Sequence, residues 1–183
     1  AEEMRRTGQG AEALEKIELL MRQVDVTCDY SPAHQAALAK EKETGGPAAA
    51  MVLPDGKLVT GKTSELMGAA ASLLLNAAKH MAGIPKKTYV VSEEALVPIC
   101  HLKTDHLRSH NPRLHSDEML IALSLSSATN DQAEATVDAL EQLAGCDAYF
   151  SVIISEADMR TYRNLGINVC CEPKYERQTY YHR

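Results

Sequence analysis

Aromatic residues are scarce in this chain. It has no tryptophan, one phenylalanine (Phe150) and seven tyrosines, so its core must be built from Ala, Leu, Val, Ile and Met. Long apolar runs are missing too. Nothing approaches the roughly 18 to 20 apolar residues that a membrane-spanning helix requires, and the longest stretch, Leu66 to Ala78, is broken by Gly68, Ser72 and Asn76. The opening Ala1-Glu2-Glu3-Met4-Arg5-Arg6 lacks the basic-then-apolar order of a secretory signal. Cysteine is sparse: Cys28, Cys100, Cys146, Cys170 and Cys171 form an odd set without secreted-scaffold spacing, and the adjacent Cys170 and Cys171 would not easily bridge each other. Free thiols in a reducing cytoplasm are the simplest reading. Excess positive charge is absent as well. Lys and Arg total 19 against 25 Asp and Glu, a formal charge of −6 that argues against a general binder of nucleic acid or acidic membranes.

What is present is globular. The 183 residues are 45% hydrophobic and 24% charged, enough for one ordinary domain or a domain with an appendage. Ala11 to Val24 sets Leu14, Ile17, Leu20, Met21 and Val24 on one stripe, the spacing of a core-facing helix. Ser31-Pro32 opens a second helix to about Glu43, and Gly45-Gly46-Pro47 ends it. That break divides the chain into a helical appendage, 1–45, and a main domain, 46–183.

Beyond Pro47, strands alternate with helices. Ala48 to Leu53 and Lys57 to Thr60 read as a hairpin around Pro54-Asp55-Gly56. Thr63 or Ser64 is placed to cap a helix running to Ala82. Further strands are expected at Thr88 to Val91, Met119 to Ser126, Ala148 to Ile154 and Ile167 to Cys170, with helices between them. The pattern predicts an α/β fold, a three-layer α/β/α sandwich with a mixed sheet. Met67, Met81 and Met119 are expected in the aliphatic core, and Cys146 and Cys170 as buried small residues.

Three stretches bear on chemistry. Gly56 to Thr63 fits the phosphate-loop pattern G-x-x-x-x-G-K-[ST], yet its Lys-Leu-Val-Thr interior favours an extended strand over amides wrapped around phosphates. The hairpin reading wins. Gly61-Lys62-Thr63-Ser64, taken as a helix N-terminus, offers amides, two hydroxyls and an ammonium to an anion; ordinary capping with Lys62 in solvent is the competing reading. Cys100 to Glu118 is the most polar stretch of the main domain. It holds Lys103, His106, His110, Asn111, Arg113 and His115, and four of the seven histidines fall between His101 and His115. Such residues supply acid/base groups and anion clamps. Their spacing is no standard zinc pattern, so no metal site is expected, and a solvated surface loop remains the bland alternative. The closing Tyr175, Tyr180, Tyr181, His182 and Arg183 read equally as a docking tail or a frayed end.

Two resemblances follow. Ala50 to Gly56 through Thr60-Gly61, then Ala70 to Gly83, resembles the opening unit of the cytidine deaminase fold. Where that family carries a zinc ligand and a proton-shuttling carboxylate, this chain has Ala70, Ala71 and Ser72, and Pro98-Ile99-Cys100-His101 does not supply the second ligand pair. The resemblance implies the fold and argues against zinc deamination. Leu102-Lys103, His106-Leu107, Asn111-Pro112-Arg113-Leu114-His115, Asp117-Glu118, Leu120 to Ser124 and Ala128-Thr129-Asn130, together with Thr60 to Ser64 and Leu165 to Asn168, resemble an uncharacterised bacterial domain-of-unknown-function family, numbered 1846. That resemblance implies a longer parent with an upstream nucleotide-type domain, of which this chain is the C-terminal part.

The expected function is therefore an accessory or substrate-site domain of a nucleotide-dependent cytoplasmic enzyme. Lys62, Thr63 and Ser64 would face Lys103, Asn111 and Arg113 across a cleft holding an anionic or nucleotide ligand. His106 or His115 would act as acid/base, and the upstream domain would complete the site. The rival is a non-catalytic interaction or homo-oligomerisation module. The residues themselves name neither substrate nor cofactor.

Overall fold

A computed structural model describes residues 7–27 and 30–176. Cys28 and the tail residues Tyr180, Tyr181, His182 and Arg183 lie outside them. Two helices come first, α1 (Ala11–Gln23) and α2 (Pro32–Thr44). Pro32 occupies the first turn of α2, where its missing N–H costs no hydrogen bond. Gly45 ends the helix in the left-handed region at φ 71°, its amide donating to the Glu41 carbonyl.

Strands β1 (Ala48–Val52) and β2 (Leu58–Lys62) form the expected antiparallel hairpin, with Ala50 opposite Thr60. Then come α3 (Ala69–Met81), α4 (Glu93–His101), α5 (Ser116–Ser127), α6 (Asp131–Asp138), β3 (Asp147–Phe150), α7 (Glu156–Asn164) and β4 (Asn168–Cys171). The four strands make one mixed sheet in the order β2-β1-β3-β4. β1 runs antiparallel to both neighbours, and β3 and β4 are parallel across α7.

Alternation along β1 divides its side chains between two apolar clusters. Ala49, Met51 and Leu53 join Ala148 and Phe150 beneath α3, α5 and α7, in a core with Leu73, Leu74, Met119, Leu123 and Met159. Burying a leucine of this kind stabilises by about 1.5–3 kcal/mol. On the opposite face Ala50 and Tyr149 pack against Ala33 and Ala37 of α2. Alanine on both sides lets helix and strand approach closely. No helix among the described residues is long and apolar enough to cross a membrane.

Several expectations are corrected. Met119 to Ser126 is helix, not strand. Its buried residues Met119, Ala122, Leu123 and Ser126 recur at i, i+3, i+4 and i+7, while Ile121 and Leu125 are exposed. Thr88 to Val91 forms no strand, because the ammonium of Lys79 takes the Thr88 and Lys86 carbonyls. The helix expected from Thr63 or Ser64 begins at Ala69. Cys146 is buried as expected but Cys170 is exposed: it points to the α2 side of the sheet, and α2 packs over β1, β2 and β3. The stripe of α1 is not core-facing: none of its residues is buried, Ile17, Leu20 and Val24 are exposed, and Leu14 and Met21 are half-buried.

Candidate functional site

The seat of the site is the junction between β2 and α3. Gly61 lies against the first turns of α3, where a Cβ would collide with the Leu73 backbone nitrogen and fall 2.6 Å from Leu73 Cα and 2.8 Å from the Ala69 carbonyl oxygen. Only glycine permits that approach. From below, the buried Tyr162 on α7 donates its hydroxyl to the Ala70 carbonyl at 2.9 Å, while its ring meets Phe150 edge to face. Burial pushes the Tyr162 hydroxyl well above its ordinary titration range, with the nearby Asp158 carboxylate adding to the effect, so it stays a proton donor.

The polar loop is stitched to this junction. Met67 and Leu114 form an isolated parallel bridge; the Gly68 amide donates to the Leu114 carbonyl at 3.1 Å and the Leu114 amide to the Leu66 carbonyl at 2.8 Å. Inside the loop, Asn111 Oδ1 accepts from the Arg113 amide at 3.1 Å, an Asx-type turn. Lys103 is buried beneath it, donating to the Arg113 carbonyl at 2.5 Å and to Glu118 Oε2 at 2.6 Å. That carboxylate oxygen also accepts from the His115 amide at 2.7 Å.

A cleft of about 510 Å³ opens where these parts meet, and Thr63, Ala70, Asn111, Arg113, His115 and Asp158 are among its lining residues. Three helices, α3, α5 and α7, begin at its wall. Two of those ends are closed by side chains. Glu118 takes the His115 amide, and Asp158 takes the Ser116 amide and hydroxyl, both at 2.7 Å; Ser155 caps α7 by accepting from the Asp158 amide at 3.1 Å. The third end is open. Gly68 provides no side-chain cap, and the amides of Ala69, Ala70 and Ala71 have no acceptor among the described residues. An open helix N-terminus carries a partial positive charge and donors for an anion. Arg113 stands at the same cleft with its guanidinium 2.9 Å from Glu176, and Asn111 Nδ2 lies 3.5 Å from His115 Nε2.

The structure thus brings Thr63, Asn111, Arg113 and His115 together and leaves the other named residues outside. Lys62 is exposed on β2 and faces a separate groove beside Lys40 and Lys86; Ser64 borders that groove and also a neighbouring hollow that Thr63 and Arg113 line. Ser64 is spent on a local turn, its Oγ accepting from the Met67 amide at 3.0 Å. Lys103 holds the loop from beneath. His106 is exposed beyond the cleft, on a π-type turn over Leu102–His106. The phosphate-loop pattern is hairpin and strand, as its interior residues required.

The helix N-terminus expected at Gly61 to Ser64 lies instead at Ala69. Asp158 carries one signal in the sequence, the capping-box spacing Ser155-x-x-Asp158. His115, Asp117 and Glu118 bring potential ligand atoms within 4.8 Å of one another, the one group among the described residues that could hold a metal ion. Glu118 is already engaged there by Lys103 and the His115 amide.

Residues 29–181 match the family described as domain of unknown function DUF1846, C-terminal. A UPF0371 protein of Corynebacterium efficiens is 45% identical over 168 residues, covering 92% of this chain and 34% of that protein. One from Streptococcus pyogenes serotype M5 is 44% identical over 171 residues, covering 93% of this chain and 35% of its own length. The chain spans about a third of the length of the curated relatives it matches. By sequence, then, it belongs to the DUF1846 family, matching that family's C-terminal domain.

Proposed function

We propose that the cleft is the anion-holding part of a substrate site, and that this domain serves a nucleotide-dependent cytoplasmic enzyme whose upstream portion completes the site. The observation that carries this reading is the coincidence of the open α3 N-terminus with Arg113, Asn111 and His115 in one cleft. The Ala69 and Ala70 amides and the Arg113 guanidinium hold the anionic group, a phosphate of a nucleotide or a similar oxyanion. His115, oriented by Asn111, moves the proton. Lys103 is a positioning residue that fixes the loop through the Arg113 carbonyl.

The hairpin leading into α3, and helices on both faces of the sheet, support a three-layer arrangement of the cytidine-deaminase-like kind. Ala70, Ala71 and Ser72 do not fit a zinc site there, since they offer neither the ligand nor the carboxylate that deamination requires. A second reading, a non-catalytic interaction or oligomerisation domain, draws on the Arg113–Glu176 ion pair, which places a carboxylate where the anion would sit.

Crystals soaked with inorganic phosphate or ATP separate the two. The first reading expects density within hydrogen-bond distance of the Ala70 amide and the Arg113 guanidinium, with Glu176 displaced. An empty cleft with the Arg113–Glu176 pair intact at saturating ligand supports the second.

A further inference from the structure

The clearest feature that the cleft does not use is α1. Its stripe is amphipathic, with Leu14, Ile17, Leu20, Met21 and Val24 within about 120° of arc at the helical repeat. Yet no residue of α1 is buried, and Ile17, Leu20 and Val24 are 54%, 60% and 66% exposed. Three exposed large aliphatics on one helix face mark a surface that another surface covers.

We propose that this stripe docks onto the polypeptide that precedes it in a longer parent chain, as the joint between the family's C-terminal domain and the rest of that chain. Two observations select this occupant. The family match begins at residue 29, beyond α1, and the relatives are about three times as long as this chain. Helix α1 therefore falls at the border of the matched domain. A tethered partner also needs little surface, because linkage supplies an effective concentration on the order of millimolar. Two copies of α1 would contribute five stripe residues each, against the roughly 20 to 30 residues a side of a standard interface. Helices of this length are marginal on their own. A membrane surface is disfavoured by charge: the polar face carries Glu12, Glu15 and Glu18 against Lys16 and Arg22, whereas interfacial helices are rich in Lys and Arg.

Amide hydrogen exchange on the full-length parent chain tests the proposal, which stands independently of the cleft reading. The amides of residues 15–24 are expected to exchange at least 100-fold more slowly than an unstructured peptide, at any protein concentration. Ile17→Asp with Leu20→Asp should abolish that protection, while residues 73–78 of α3 keep theirs and so report an intact fold. Leu19→Asp, exposed off the stripe, should leave α1 protected. Unprotected α1 amides in the full-length wild type would overturn the proposal. So would protection that disappears on dilution together with a dimer, or protection that arises only with anionic vesicles.

Discussion

The two ends of α3 treat their polar groups in opposite ways. At the C-terminal end the Ala78, Lys79 and His80 carbonyls and the Lys79 and His80 side chains all have partners. The buried Lys79 ammonium donates to the Lys86 and Thr88 carbonyls at 2.7 and 2.5 Å. His80 pairs with Asp55 at 2.7 Å, and the Gly83 amide closes onto the His80 carbonyl at 2.9 Å. At the N-terminal end three amides have no acceptor among the described residues, and the cationic and histidine side chains of the 107–115 loop gather beside them. A helix end without a cap is ordinary in solvent; here Gly61, Tyr162 and a stitched loop hold one at the wall of a cleft, and the proposed anion site rests on that placement. The contrast lies within a single helix, so composition and propensity cannot account for it.

Breaking the seat of α3 has the largest expected effect. Gly61→Ala forces a Cβ into the Leu73 backbone and should cost about 3 kcal/mol, read as a lowered denaturant midpoint. Because the collision is with backbone, no rotamer change relieves it.

Opening the closed end comes next. Lys79→Met leaves two carbonyls without their donor and should cost about 1–3 kcal/mol in denaturant unfolding. The pH dependence carries a sign. Burial, then the neighbouring Lys86 charge, lowers the Lys79 titration below the ordinary lysine value, so the folded state binds fewer protons there than the unfolded state. Its contribution to stability therefore grows as pH rises from the lowered value to the ordinary one, near 10.5. The wild-type-minus-variant difference in unfolding free energy should show that rise. A flat difference would mean that Lys79 titrates normally.

Loosening the open end without emptying the core is milder. Tyr162→Phe removes the hydroxyl from the Ala70 carbonyl while keeping the ring on Phe150, and should cost about 1 kcal/mol. Exchange of the Leu73 and Leu74 amides, which bond back to the first turn of α3, should quicken more than that of the Ala77 and Ala78 amides. The smallest effect is at Asp55, an exposed carboxyl held below its ordinary range first by the His80 hydrogen bond and then by the Lys57 amide. His80→Gln should move its titration upward, visible as a shifted carboxyl carbon midpoint by NMR.

Local chemistry made the hairpin legible. Pro54-Asp55-Gly56 specifies a turn, and the alternation beside it specifies strands, which also removed the phosphate-loop match. Helix α5 is hidden in the sequence because Met119 to Leu123 is apolar without interruption, which obscures a 3.6-residue period; its acidic first turn, Asp117 and Glu118, is the helix signal there. Helices α1 and α2 teach the complementary lesson. The strong stripe of α1 has no buried residue, whereas the alanine-rich α2, with no such stripe, packs directly on the sheet. Periodicity shows that a face wants cover, not which chain supplies it. At the site, Asn111, Arg113 and His115 were readable as a polar cluster. Their meeting with Gly68 and Ala70 was not, because it depends on the long-range bridge between Met67 and Leu114. Lys62 and Lys103 looked alike as residues and differ entirely in place: one lies in solvent, the other beneath a loop.

The most direct test of the open helix end is an NMR titration of the ¹⁵N-labelled protein with inorganic phosphate. The amides of Ala69, Ala70 and Ala71 should shift together along one saturating curve, with a dissociation constant weakened about tenfold by Arg113→Ala, the loss of roughly one charge-assisted contact. Glu176→Gln should tighten binding by freeing the same guanidinium. Shifts confined to the Lys40, Lys62 and Lys86 groove, or Ala69 to Ala71 amides unmoved at saturating phosphate, would contradict the account.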